Sequence, residues 1–372
     1  MKYRKLAGED VSVLGFGLMR LPVLDGDNGK IDKEKTYEMM QYAIDNGVNY
    51  FDTAYVYHNG NSESAAGEIL EKHNLRNKVK IASKLPTWLI KDESDVIRLL
   101  DEQLERLRTD YIDFYLCHAL DRDGFDNVIM KYDVLPKLEK AKAEGKIRHI
   151  GFSFHDDLDA FKHIIDSYDK WEFCQIQLNY INTEYQAGLE GLEYAANEKG
   201  LGVIIMEPLY GGKLADPSVQ IIKELPADKT PVESAFDFLW NRPEVRITLS
   251  GMGTIQQMTD NIKYASRAEA GMMSSAELEC MKRAKHVFDT MALVPCTKCS
   301  YCMPCPFGVD IPAVYEAYNK IPVANIDKAK EIYAEINGKA DKCKKCGACR
   351  SVCPQNIMTP VLMEQIHEKL GR

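Results

Sequence analysis

Thr36-Tyr37-Glu38-Met39-Met40-Gln41-Tyr42-Ala43-Ile44-Asp45-Asn46-Gly47-Val48-Asn49-Tyr50-Phe51-Asp52 reads as a helix that delivers the chain into a strand. Tyr37, Met40, Ala43 and Ile44 recur at the three and four spacing of one helix face, and Val48 to Asp52 is a short apolar run with a polar end. The unit repeats. Further apolar runs stand at Val11–Phe16, Val79–Ser83, Tyr111–Cys117, Ile147–Phe152, Phe173–Leu178, Gly202–Met206 and Val245–Ser250, separated by helical patterns such as Val96-Leu99-Leu100-Leu104-Leu107. Eight strand-then-helix units over about 250 residues match a closed (β/α)8 barrel of the TIM type. A doubly wound open sheet is the alternative, but it would offer a Gly-rich nucleotide turn after its first strand. Gly15-Phe16-Gly17-Leu18-Met19-Arg20 has no third glycine, so Gly15 and Gly17 are read as loop or backbone-approach positions.

In such a barrel the loops that follow the strands carry the chemistry. The second run leads into Asp52-Thr53-Ala54-Tyr55-Val56-Tyr57, the third ends in Lys84, the fourth in His118, the fifth in Ser153 and the sixth in Gln177 and Asn179. Any one of these is more often a solvated or packed residue, but successive strand ends converge on one pocket. A phenol with a pKa of about 10 donates its proton poorly, and a neighbouring ammonium such as Lys84 is expected to lower that value. Asp52 would hold the lysine charged, and His118 would donate to a carbonyl oxygen as hydride reaches the carbon. The set reads as a carbonyl-reducing site.

The tail carries a different chemistry. Cys296-x2-Cys299-x2-Cys302-x2-Cys305-Pro306 and Cys343-x2-Cys346-x2-Cys349-x3-Cys353-Pro354 hold eight of the eleven cysteines. Closely spaced soft thiolates ending in Cys-Pro are the pattern of bacterial iron-sulfur ligation, and two runs predict two [4Fe-4S] clusters. Structural zinc would take shorter hooks separated by a longer loop, and disulfides do not suit a reducing compartment. The first run has two rather than three residues before its last cysteine, which leaves open which cysteines share a cluster. Between the runs, Val314-Tyr315-Tyr318 and Ala329-Ile332-Tyr333-Ile336 stand at helical spacing, with Pro312 and Gly338 as boundaries, so a small, mainly helical module is expected. Ser274 to Met291 reads as a capped amphipathic helix leading into it. Cys117, Cys174 and Cys280 read as core residues. His58 is read as facing either substrate or solvent.

A chain of 372 residues can build a full core and still append such a module, so domains are expected at 1–290 and 291–372. A net charge of −9 argues against a nucleic-acid surface. No apolar run approaches the roughly 20 residues needed to span a bilayer, and Met1-Lys2-Tyr3-Arg4-Lys5 starts no apolar signal segment, so a cytoplasmic protein is expected.

The opening Tyr3-Arg4-Lys5-Leu6-Ala7-Gly8 to Leu14-Gly15-Phe16-Gly17, the Asp52-Thr53-Ala54-x-x-Tyr57 element, Lys84 and Leu116-Cys117-His118 resemble the aldo-keto reductases over the chain to about residue 290. With the tail, the chain is similar to the branch fused to a ferredoxin-like domain. The resemblance implies the tetrad Asp52, Tyr57, Lys84 and His118, and a nicotinamide cofactor, NADP(H) or NAD(H), lying across the barrel mouth. It places the carboxamide at Ser153 and Gln177, with Phe154 where asparagine is common, and the nicotinamide face at Met206, followed by Pro208 and Leu209. It places the adenosine phosphate at Ser250, Gly251, Gln257 and Asn261, without the basic residues that NADP-specific members often carry; Lys213 and Lys263 stand nearby in sequence. The implied activity is reduction of an aldehyde or ketone, or oxidation of an alcohol, with a ferredoxin or flavoprotein as redox partner of the clusters. The alternative is an electron-transfer or redox-sensing module whose clusters serve a partner protein, the barrel acting as adaptor.

Overall fold

The computed structural model describes residues 1–291, 293–321 and 326–371. The chain packs as two units, one made of Met1–Pro208 with Glu233–Ser274 and the other of Leu209–Val232 with Ser275–Arg372. This division by packing does not coincide with the boundary at residue 290 drawn from the sequence, because the segment after Pro208 and helix Ser275–Met291 group with the cysteine-bearing tail.

The first unit is the barrel. A hairpin of β1 (Tyr3–Leu6) and β2 (Glu9–Ser12) precedes eight parallel strands: β3 (Leu14–Gly17), β4 (Tyr50–Asp52), β5 (Lys80–Leu85), β6 (Ile112–Leu120), β7 (Ile147–Phe154), β8 (Phe173–Gln177), β9 (Gly202–Met206) and β10 (Val245–Ser250). They close in the order β3 to β10, with β10 pairing back to β3. All eight sequence runs are barrel strands, but Val11–Phe16 is two elements. Ser12 Oγ donates to Leu14 O and accepts from Asn49 N–H, and the chain turns there from the hairpin into β3.

Alternation along a strand sends every second side chain inward. Tyr50, Ala82, Phe114, Leu116, Phe173, Ile204, Ile247 and Leu249 share one buried cluster with Leu6 and Val11, so the hairpin supplies the floor of the barrel. Gly15 lies within β3 rather than in a loop and faces this filling, where a Cβ would lie 2.6 Å from the Leu249 side chain; the backbone approach expected of the pair is made by Gly17, whose Cβ would lie 3.3 Å from Ser250 O. The residues two places beyond these inward side chains, Asp52, Lys84, His118 and Met206, stand at the C-terminal ends of the strands.

The second unit has its own core of Val309, Ile311, Val314, Tyr315, Tyr333, Met363 and neighbours, with six of the eight cysteines packed against it. Helices Ile311–Tyr318 and Ile326–Glu335 form between the cysteine runs, and Thr359–Leu370 follows them. Pro312 lies in the first turn of its helix, capped by Asp310, whose side chain accepts from Ala313 N–H. Asn319 clamps the entry to the module, accepting from Val294 N–H at 2.8 Å and donating to Val294 O at 2.7 Å. No helix among the described residues is long and apolar enough to cross a membrane.

Candidate functional site

Asp52 ends β4, Lys84 lies near the end of β5 and His118 near the end of β6, so consecutive strands carry them to one rim. Tyr57 opens the short helical turn that follows β4. All four are buried, Tyr57 retaining 9% of its surface. The ammonium of Lys84 donates to Asp52 Oδ1 and Oδ2, each at 2.8 Å, and to Thr53 O at 2.7 Å. Burial acts against both charges, raising Asp52 and lowering Lys84, and each partner opposes the shift in the other.

Lys84 Nζ lies 5.1 Å from the centre of the Tyr57 ring, and the His118 ring stands edge-on to Tyr57 with centroids 6.3 Å apart. The Tyr57 pKa nevertheless runs opposite to the sequence expectation. Burial, then the carboxylates of Asp52 and Glu207, push the phenol well above its ordinary value of 10. The ammonium has three protons and three oxygen partners, so it offers the phenol no hydrogen bond. Burial, with Lys84 and His155 adding to it, drives His118 well below 6.5, so its imidazole is neutral. Its Nδ1 has no hydrogen-bond partner among the described residues. Trp88, half exposed, lies 5.1 Å from His118 centroid to centroid. The sequence reading passed over it although it sits four residues past Lys84.

The sixth barrel strand adds a residue that sequence reasoning missed. Gln175, not only Gln177, points inward, and in the register of β7 with β8 it is the partner of Ser153. Ser153 Oγ accepts from Ala119 N–H at 2.7 Å, which leaves its own proton free. Gln175 Nε2 reaches Met206 Sδ at 3.4 Å, while its buried Oε1 has no partner among the described residues. A donor hydroxyl and an orphaned acceptor on adjacent strands are what an amide group needs. Gln177 pairs in register with Met206 on β9, one step further along. Two glutamines of the same parity look alike in sequence; only the register separates them.

After β10, Asn261 Nδ2 donates to Ser250 Oγ at 3.1 Å, and Gln257 accepts from Gly253 N–H at 2.9 Å. The Arg20 side chain runs along Gly251, where a Cβ would lie 3.1 Å from Arg20 Cδ. That cation belongs to the loop after β3 and was not anticipated. Pro208 is buried; Leu209 is the first residue of the second unit. His58 is not a solvated loop residue. It is buried, its Nδ1 paired with Asn28 O and its Nε2 accepting from Leu21 N–H, so it ties the loop after β3.

In the second unit, one cavity is lined by Cys305, Cys343, Cys346 and Cys349, and another by Cys296, Cys299 and Cys353; Cys302 and Cys349 border both. Burial raises the Cys296 and Cys302 thiols, and Cys353 adds to both, whereas Cys343 and Cys346 act on Cys349. The last cysteine of each run therefore lies with the first three of the other. None of the eight forms a disulfide, and no group of three or more His, Cys, Asp or Glu among the described residues is close enough to hold a single ion. Zinc would need its thiolates about 2.3 Å from one point; thiols spread around a cavity fit a larger inorganic core.

The aldo/keto reductase family model matches residues 13–277, which is most of the chain and all eight barrel strands. This chain belongs to the aldo/keto reductase family. A 4Fe-4S dicluster domain matches residues 295–358 behind the reductase barrel. Among curated relatives, the chain is similar to L-galactose dehydrogenase of Arabidopsis thaliana, 28% identical with 71% of this chain and 87% of that protein covered. Protein tas of Escherichia coli is 26% identical, with 71% and 92% covered. Among solved structures, the holo form of an aldo-keto reductase from Bacillus halodurans superposes with a TM-score of 0.63 at 23% identity, over 76% of this chain and 96% of that one. An aldo-keto reductase from Klebsiella pneumoniae, in complex with NADPH, gives 0.59 at 22%, over 76% and 95%.

Proposed function

We propose that the barrel reduces a carbonyl with a nicotinamide cofactor, Tyr57 being the proton donor. Bound nicotinamide supplies the hydride. Tyr57 gives its proton to the carbonyl oxygen as negative charge grows there, so the carbonyl becomes an alcohol and the phenol is left as phenolate. The Lys84–Asp52 pair provides the positive end of a buried dipole beside that phenolate, and neutral His118 donates a hydrogen bond to the same oxygen. The observation that supports this reading is the buried Lys84–Asp52 pair lying against Tyr57 and a neutral His118 at the ends of consecutive strands.

Ser153 and Gln175 hold the carboxamide, the first as donor and the second as acceptor, with Gln177 beside them and Met206 packing its thioether under the ring. Ser250, Gly251, Gln257 and Asn261 form the adenosine-phosphate segment, to which Arg20 brings a guanidinium that suits NADP(H). Pro208 continues the cofactor wall. The eight cysteines hold two [4Fe-4S] clusters, one on Cys296, Cys299, Cys302 and Cys353, the other on Cys343, Cys346, Cys349 and Cys305. Two relatives are named for sugars, L-galactose dehydrogenase and 6-dehydroglucose reductase, so a polyhydroxylated carbonyl or its alcohol is the first substrate class to assay. A cytoplasmic location suits oxygen-sensitive clusters.

Hydride moves two electrons together and a cluster takes one, which favours a second reading in which the clusters serve a partner and the barrel is an adaptor. Tyr57→Phe separates the two. Loss of carbonyl turnover with iron and sulfide content unchanged supports the reductase; retained turnover with every substrate of the wild type removes Tyr57 from the chemistry.

A further inference from the structure

We infer that the face around the second cysteine run is an electron port that receives a small acidic one-electron carrier protein. The inference rests on the reading that these cysteines hold a cluster, and goes beyond it in naming which cluster faces the partner and what the partner's surface must be.

The two cysteine cavities are not alike. The one bordered by Cys296, Cys299 and Cys353 has no charged residue in its lining. The one bordered by Cys305, Cys343, Cys346 and Cys349 is lined also by Phe307, Val352 and Lys344. Phe307 is 43% exposed and Val352 48% exposed, and Cys346 is the one cysteine of the eight that is exposed. A cluster held there has a thin, partly apolar wall between its edge and solvent. Met358 and Val361, 45% and 48% exposed, extend the apolar surface of the same unit.

Charge supplies the second half of the argument. The chain carries a net charge of −9, yet residues 339–350 hold Lys339, Lys342, Lys344, Lys345 and Arg350 against one carboxylate, Asp341, with Glu364 and Glu368 acting on Lys345 from the last helix. Lys342, Lys344, Lys345 and Arg350 are exposed. Lys345 pairs with Glu364 at 2.9 Å, and Lys342 donates to Asn337 O, whereas Lys344 and Arg350 form no ion pair among the described residues. A local cationic rim on an acidic chain steers an acidic partner to this spot and repels it elsewhere. Exposed Phe307 and Val352, which line the same cavity as Lys344, let the two surfaces shed water and approach closely. Electron-transfer encounters use small interfaces of this kind. The step itself makes and breaks no bond: the reduced cluster loses one electron, the oxidised centre of the carrier gains it, and the reverse transfer runs through the same contact.

The test uses the full chain, purified without oxygen, its iron and sulfide measured, and titrated calorimetrically with an acidic ferredoxin at low and at high ionic strength. Binding at low salt that weakens steeply with added salt is expected, and Lys344→Glu with Arg350→Glu is expected to weaken it by about tenfold or more. Lys72→Glu with Lys140→Glu, on helices of the barrel, should leave it unchanged. Salt dependence of the wild type is read independently of how the variants fold. Three results overturn the port: binding indifferent to both salt and charge reversal, equal binding of a basic cytochrome, and equal binding of duplex DNA, which would mark a general polyanion patch. A protein without iron overturns the cluster reading itself, and the port with it.

Discussion

Lys84 gives two of its protons to the two oxygens of Asp52 and the third to Thr53 O, so it faces Tyr57 with charge and no hydrogen bond. The pair is buried, and its attraction offsets a desolvation cost that each partner alone could not bear. Asp52→Asn strands a buried ammonium, and a loss of about 3–5 kcal/mol in unfolding free energy is expected. Adding Lys84→Met to that variant removes the stranded charge and should recover much of the stability while leaving carbonyl turnover absent. Denaturant unfolding of the two variants measures both. If the double variant is the less stable, the pair is held by something other than mutual neutralisation.

The pH profile follows from two opposite shifts. A proton donor works while protonated, and burial with Asp52 and Glu207 raises Tyr57 above its ordinary 10, so its useful range extends upward. A hydrogen-bond donor of the imidazole type is neutral above its pKa, and burial drives His118 below 6.5, so its useful range extends downward. The turnover number for carbonyl reduction should therefore stay level between about pH 6.5 and 10. Steady-state kinetics at saturating substrate across that window are the check. A fall centred near neutrality would assign proton donation to another group.

Much of this arrangement was legible in the sequence, for a physical reason. Barrel strands are short apolar runs at a regular beat, and Asp52, Lys84 and His118 mark where the beat stops. The reading failed where two elements share one pattern. Val11 fills the barrel floor from the hairpin and Phe16 packs from β3, so Val11–Phe16 stays apolar across a change of sheet, and only the Ser12 hydrogen bonds mark the turn. The lowered phenol pKa failed differently: it counted the Lys84 ammonium alone, whereas burial and the carboxylates of Asp52 and Glu207 raise the phenol, and neither the burial of the ring nor the approach of Glu207 has a signature in the side-chain pattern. In the tail, spacing marked the two cysteine runs, but only the fold brought the last cysteine of each run beside the opposite run.

Gln175 tests the cofactor reading against the glutamine two residues on. Its Oε1 is buried beside Ser153 without a partner among the described residues, and an unsatisfied buried acceptor costs about 1–3 kcal/mol until something donates to it. Gln175→Leu removes the acceptor and its cost together, so the variant should be as stable as the wild type or more so, while the dissociation constant for reduced cofactor rises about tenfold. Gln177→Leu should have the smaller effect. Fluorescence titration with NADPH ranks the two, and the reverse ranking would return the carboxamide contact to Gln177.

The crossed cysteine sets predict which variants resemble each other. Cys353 lies with Cys296 and Cys299, and Cys305 with Cys343 and Cys346, so Cys353→Ser should lose the same cluster as Cys296→Ser, and Cys305→Ser the same one as Cys343→Ser. Each single variant should retain about half the iron of the wild type, since one cluster keeps all four thiolates. Electron paramagnetic resonance of the dithionite-reduced proteins then sorts the four into two pairs with different residual signals. Pairing by run instead, with Cys353→Ser matching Cys343→Ser, would mean that each run wraps its own cluster. The exposed Cys346 would then share its cluster with Cys353 and no longer with Cys305.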